Sequence, residues 1–164
     1  MAYSLIVLSL FALDSTIKSY IEKNMEIGET HPILGGKILL KRSHNKGALL
    51  NIGESHPTFV VYLSVACTIL VTGGLLVAFG REEKKMLKTG LALIIGGAYS
   101  NTYDRCRRSY VVDYFSFAPM TKKVGHPLLT KWSKRCSTIV FNIADFGIFA
   151  GAALIVVAEL FGKK

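Results

Sequence analysis

From Thr58 to Phe79 the chain carries no charged side chain. At roughly 1.5 Å of helical rise per residue, that stretch spans a hydrocarbon core of about 30 Å. An unpaired backbone cannot be left in such a core, so a helix is required there. Three further apolar stretches follow the same pattern with interruptions: Met1–Tyr20, Lys88–Tyr103 and Ile139–Phe161. With 164 residues, 51% hydrophobic side chains, 19% charged ones and a mean hydropathy of +0.39, the composition also fits a membrane protein better than a soluble globule, which carries about 25% charge. The first stretch is read as a retained helix and not as a secretory signal. It lacks a basic beginning and a small-residue cleavage pattern, and it contains Asp14 and Lys18.

The expected fold class is an all-α integral membrane protein. It has four transmembrane helices, over about residues 1–21, 57–80, 86–105 and 140–162, and forms a single domain spanning 1–164. The short charged turn around Arg81–Lys88 makes helices two and three an antiparallel hairpin. The polar segments of about 30–55 and 108–138 then lie together on the other side of the membrane. There "KILL" and "SYVVDYFSF" suggest strands of a small β-element, because β-branched and aromatic residues fit a pleated surface.

Depth along the helices places the costly residues. Counting from Lys88, Asn101 to Arg105 lie roughly 20–25 Å farther along helix three; counting from Met1, so do Asp14 and Lys18 along helix one. Asn142 and Asp145 open the returning helix four at the same level. A charged group within a membrane span costs about 2.5–3.5 kcal/mol on insertion scales, so several at one depth imply a shared polar pocket or a mutually satisfied structural network. Both readings stay open on burial alone.

The spacing groups these residues. Asn101, Asp104 and Arg105 stand at i, i+3 and i+4 on one face, Asn142 and Asp145 at i and i+3, and Asp14 and Lys18 form an i, i+4 pair that favours a structural ion pair. Asp113 sits between apolar neighbours in "VVDYF", as a turn or interface group or as a carboxylate aimed into the pocket. If Asp113 and Asp145 face each other, they cannot both ionise readily and share a proton near neutral pH. One then activates water while the other polarises a carbonyl.

Other chemistries find no support in the sequence. There is no H-E-x-x-H, G-x-S-x-G or Walker-type sequence, and His31, His44, His56 and His126 lack ligand spacing. Neither a metal nor a cofactor is expected. Cys67, Cys106 and Cys136 show no paired spacing, and a Cys106–Cys136 bridge is open only if both face an oxidising space. The net charge of +9 and pI near 9.6 point to anionic phospholipid head groups and not to nucleic acid. A transporter is disfavoured because helix two offers no polar path. Gly96 and Gly97 are read as allowing close helix packing.

At these residues the sequence resembles prolipoprotein signal peptidase, also called signal peptidase II. "LDSTIK", "HNKGALLN", "GGAYSNTYDR", "VVDYF" and "FNIADFGI" match the family's motifs in order over nearly the whole chain. The resemblance implies an integral-membrane aspartic endopeptidase that removes the signal peptide of diacylglyceryl-modified prolipoproteins beside the lipid-modified cysteine. It also implies a site on the outer side of the bacterial cytoplasmic membrane and inhibition by globomycin-type peptides. Asp113 and Asp145 become the catalytic pair. Asn45, Asn101, Arg105 and Asn142 become substrate-orienting residues, and Asp14, Lys18 and Asp104 the supporting network. A monomer is expected.

Three departures stand out. Ser100 occupies a position where the family pattern has Gly, "GALLN" differs after its Gly-Ala, and a long basic segment with Lys122, Lys123, Lys131, Lys134 and Arg135 separates the two acids as a candidate lid. That segment keeps a catalytically silent paralogue, binding lipoproteins or lipids, as the alternative. Charge bias also opposes the implied orientation. Eight Lys or Arg lie between Arg105 and Arg135, against six at the other face: Arg81, Lys84, Lys85, Lys88, Lys163 and Lys164. The family topology is given precedence.

Overall fold

A computed structural model of the chain describes residues 1–47, 53–80, 84–118 and 139–161. The basic segment with Lys122, Lys123, Lys131, Lys134 and Arg135, together with Cys136 and residues 48–52, lies outside the described residues. The elements follow in the order α1 (Ala2–Asn24), β1 (Thr30–Ile33), β2 (Ile38–Asn45), α2 (Pro57–Phe79), α3 (Lys85–Arg108), β3 (Val111–Phe117) and α4 (Ile143–Phe161). Among the described residues, three helices, α1, α2 and α4, are long and apolar enough to cross a membrane.

The burial pattern of α1 is the reverse of a soluble helix. Its buried residues are Asp14, Lys18 and Ile21, while Leu5, Leu8 and Leu13 are exposed. Leucine outside and charge inside is what a lipid solvent selects. In α2, Pro57 opens the first turn, where its missing N–H costs nothing. Phe59, Tyr62, Ile69 and Leu70 then face outward.

Helix α3 packs against α1, α2 and α4 and is the centre of the bundle. It buries polar as well as small residues, among them Gly96, Gly97, Ser100, Asn101 and Asp104. Its contact with α4 is close because glycines face backbone. A Cβ on Gly90 would stand 2.7 Å from the carbonyl oxygen of Gly151, and one on Gly151 would collide with that of Gly90. One on Gly97 would collide with the carbonyl of Ala144. Small residues therefore set the helix separation.

Ser109, left-handed at φ 62°, ends α3, and its N–H returns to the Arg105 carbonyl at 2.9 Å. The chain turns at once into β3. The three strands form an antiparallel sheet in the order β1-β2-β3, with Ile38 opposite Phe117 and Asn45 opposite Val111. Between Leu40 and Ser43 the register slips, so β2 carries one residue more than β3 just beside Asp113. Such a bulge bends the strand and re-aims its side chains. Glu22 of α1 accepts from Arg42 and His44 of β2, each at 2.6 Å, and so ties the sheet to the bundle.

A second tie decides where α4 begins. The carbonyl of Phe141 accepts from the N–H groups of Tyr114 (2.9 Å) and Phe115 (3.0 Å), and its own N–H donates to the Phe115 carbonyl at 2.7 Å. Phe141 is thus stitched to β3, and the first turn of α4 starts beside Asp113.

Candidate active site

Asn142 and Asp145 start α4 with a reciprocal cap. The side-chain oxygen of Asn142 accepts the Asp145 N–H at 2.9 Å, and an Asp145 carboxylate oxygen accepts the Asn142 N–H at 3.1 Å. This satisfies donors that a helix start otherwise leaves open. The i, i+3 spacing therefore has a local structural cause. The cap leaves the Asn142 amide and the second Asp145 oxygen for other partners.

Those partners form a relay between the two acids. Asn142 Nδ2 donates to Asp113 Oδ1 at 2.7 Å and to Asn101 Oδ1 at 3.1 Å. Asn101 Nδ2 donates to Asp145 Oδ1 at 3.0 Å. The second Asp113 oxygen accepts from Asn45 Nδ2 at 3.1 Å. Asp113, on β3, and Asp145, on α4, border the same cavity of about 340 Å³, which Asn45, Asn101 and Arg105 also line. Burial, then the nearby Asp145 charge, pushes the Asp113 carboxyl up to about 7. Arg105 Nη2 donates to the Gly47 carbonyl at 2.8 Å, and its buried Nε has no partner among the described residues.

Beneath the cavity lies a drier ionic layer. Lys18 is 1% exposed and Asp14 is 0% exposed, with 2.7 Å between them. Lys18 also donates to Asn101 Oδ1 at 2.7 Å and lies 3.4 Å from Asp104. Asp104 accepts the Val112 N–H at 3.1 Å, which pins the start of β3 to α3. Lys18 is thus shared by two carboxylates, with Arg108 Nε also 3.4 Å from Asp104, and it orients the amide that reaches Asp145. Among the described residues no group of three His, Cys, Asp or Glu is arranged to hold a metal ion.

Much of the remaining cavity wall is apolar. Val60 and Leu63 of α2, Ile148 and Phe149 of α4, and Phe141 line it. The family model described as signal peptidase (SPase) II matches residues 6–161. The chain belongs to the signal peptidase II family.

Individual relatives agree with that membership. A lipoprotein signal peptidase of Halalkalibacterium halodurans is 30% identical over 157 residues, covering 94% of this chain and 89% of that protein. Two solved structures of a bacterial membrane enzyme, determined in meso at 2.3 and 1.9 Å, share the fold. One has a TM-score of 0.77 at 23% identity over 99% of this chain and 92% of the other. The second has a TM-score of 0.74 at 22% identity, over 99% and 94%.

The structure places all nine residues singled out from the sequence in one connected region of this signal peptidase II fold. Asp113, Asp145, Asn45, Asn101 and Arg105 border the cavity. Asn142 is fully buried between the acids, and Asp14, Lys18 and Asp104 lie in the ionic layer. Sequence reasoning missed several neighbours. Ser64, Cys67 and Thr68 of α2 and Thr102 of α3 also line the cavity, and Thr68 and Thr102 share a hydroxyl contact at 2.9 Å. The i, i+4 recurrence of Ser64, Thr68 and Thr72 was a signal that α2 is not uniformly apolar. Ser100 donates to Asp14 Oδ2 at 2.6 Å, and Tyr114 donates to Asp14 Oδ1 at 3.0 Å. For these two, no pattern in the sequence pointed to the role.

Proposed function

We propose that this protein is the aspartic endopeptidase that removes the signal peptide from bacterial prolipoproteins, with Asp113 and Asp145 as its catalytic pair. The observation that supports the pairing is their common cavity, with Asn142 and Asn101 forming the relay between their carboxyl groups. The pair holds one proton near neutral pH. The ionised carboxylate takes a proton from a water molecule as its oxygen attacks the scissile carbonyl, and the protonated one donates to the carbonyl oxygen. The tetrahedral intermediate then collapses, the C–N bond breaks, and a dyad proton goes to the leaving amine. Asn45, Asn101 and Arg105 orient the peptide backbone, while Asp14, Lys18 and Asp104 hold the orienting side chains in place.

In this reading residues 1–164 form one domain, with α3 as the fourth membrane span and the sheet on the outer side of the cytoplasmic membrane. The scissile bond of a diacylglyceryl-modified precursor lies at head-group level, which matches the depth of the dyad. The chain works as a monomer among anionic phospholipids and takes globomycin-type peptides in the same cavity.

The deciding experiment is cleavage of a diacylglyceryl-modified precursor by the purified chain, with and without globomycin. Turnover that globomycin stops is expected; a folded, inserted protein with no turnover would overturn the assignment. Orientation is read from exposed Cys106. With Cys67 and Cys136 replaced, a membrane-impermeant thiol reagent should label it in intact cells, and labelling only after lysis would reverse the topology.

A further inference from the structure

Helix α4 presents its first amides to the protein interior, and each has a definite acceptor. The Asp145 N–H goes to Asn142. The Ala144 N–H goes to Asp14 Oδ1 at 3.3 Å. The Ile143 N–H goes to the phenol oxygen of Tyr114 at 2.9 Å. An amide can only donate, so the phenol accepts from Ile143, and its own proton is directed to Asp14 Oδ1 at 3.0 Å. Burial beside Asp14 raises the phenol well above its ordinary value, so it keeps that proton throughout the physiological range.

Tyr114 follows Asp113 directly on β3. Alternation along a strand turns successive side chains to opposite faces. Accordingly, Tyr114 packs in the core with Ile21, Met25 and Val112, while Asp113 borders the cavity. One strand therefore carries one acid on its cavity face and, in the next residue, the group that holds the turn bearing the other acid. Its hydroxyl also joins that turn to α1 through Asp14. Tyr114 is 3% exposed and does not line the cavity, so it reaches the reaction only through these partners.

We infer that Tyr114 is a positioning residue that sets the separation of the Asp113 and Asp145 carboxyl groups by clamping the first turn of α4 to β3 and Asp14. This rests on the dyad proposed above. Loosening the clamp changes the distance across which the two acids share a proton. Their two apparent titrations, held apart by mutual repulsion, then draw together.

The test uses the purified full chain and a diacylglyceryl-modified precursor. Tyr114→Phe keeps the ring in the core and removes only the hydroxyl. Its kcat should fall about tenfold or more at a KM within about twofold of wild type, and its pH–rate bell should narrow. Ile143→Pro removes the same hydrogen bond from the other side, at a helix position that tolerates proline. It should reproduce the loss, and the double variant should lose little more than either single one.

Wild-type kcat in both variants, an unchanged bell width, or additive losses would overturn the inference. If Tyr114→Phe does not fold, Ile143→Pro decides it alone. Asp113→Asn runs in parallel. Turnover by that variant would sink the dyad, whereas a dead Asp113→Asn beside a fully active Tyr114→Phe would sink only the clamp.

Discussion

Asn142 and Asp145 cap each other across the first turn of α4, at 2.9 and 3.1 Å, and in doing so aim the remaining Asn142 amide at Asp113 and the remaining Asp145 oxygen at Asn101. A local helix-starting motif and a candidate catalytic relay are built from the same atoms. Substitutions there have to be read for both.

Asp145→Asn keeps an oxygen for the Asn142 N–H and so preserves the cap. Asp113→Asn preserves the size of that side chain. Both variants should insert and fold, yet precursor cleavage should fall by at least about a thousandfold in each. The double variant should be no worse, because the acids act as a unit. Measured turnover above that limit in either single variant would remove its carboxyl from the mechanism.

Asp113 also makes stability depend on pH. It titrates near 7 in the folded protein and near about 3.9 when unfolded, so the folded state binds its proton more tightly. That stabilising contribution is complete below about pH 4 and is lost as pH rises through about 7. The thermal midpoint in detergent should therefore be lower at pH 8 than at pH 5, and Asp113→Asn should flatten the difference and raise the midpoint at pH 8. The alkaline limb of the rate profile should fall near pH 7.

Lys18→Met leaves Asp14 and Asp104 buried without their shared cation. Removing one partner of a buried ionic group costs about 3–5 kcal/mol. The unfolding midpoint should drop markedly, and turnover should fall further than lost folded protein explains, because Lys18 also orients Asn101. A midpoint equal to wild type would refute the central place given to this cation.

Gly97→Ala and Gly73→Ala form a contrasting pair. A methyl on Gly97 collides with the Ala144 carbonyl and sits 2.9 Å from Ile148 Cγ1, whereas one on Gly73 meets nothing within 4 Å. The first should push α3 from α4, stretch the Asn101–Asp145 bond, cost about 1–3 kcal/mol and reduce kcat up to about a hundredfold. The second should be neutral or stabilise by up to about 1 kcal/mol. Equal behaviour of the two would show that the glycine crossing does not position the site.

How much of this was legible in the sequence varies with how local its cause is. The uncharged run of α2, the i, i+4 pairing of Asp14 with Lys18 and the i, i+3 pairing of Asn142 with Asp145 depend on neighbours within one turn, so spacing reveals them. Helix α3 is harder to read. It is the bundle's centre, yet hydropathy undervalues it because Ser100, Asn101 and Asp104 are satisfied by α1, β3 and α4 and not by water. The stitching of Phe141 to β3 joins positions 26 apart in the chain by backbone groups alone, which side-chain patterns do not encode. Tyr114 reads as one more aromatic in a strand until the amide of Ile143 is seen on its oxygen.

The docking of Phe141 onto β3 carries a consequence for biosynthesis. A ribosome that has delivered everything through residue 118 has made one acid and most of its supports, while the other acid waits on a later hydrophobic segment. As proposed, the protease is thus inert until that segment emerges. It becomes competent only when α4 has inserted and its leading turn has reached the waiting strand, so a chain stalled or truncated before that moment is a membrane protein without proteolytic power.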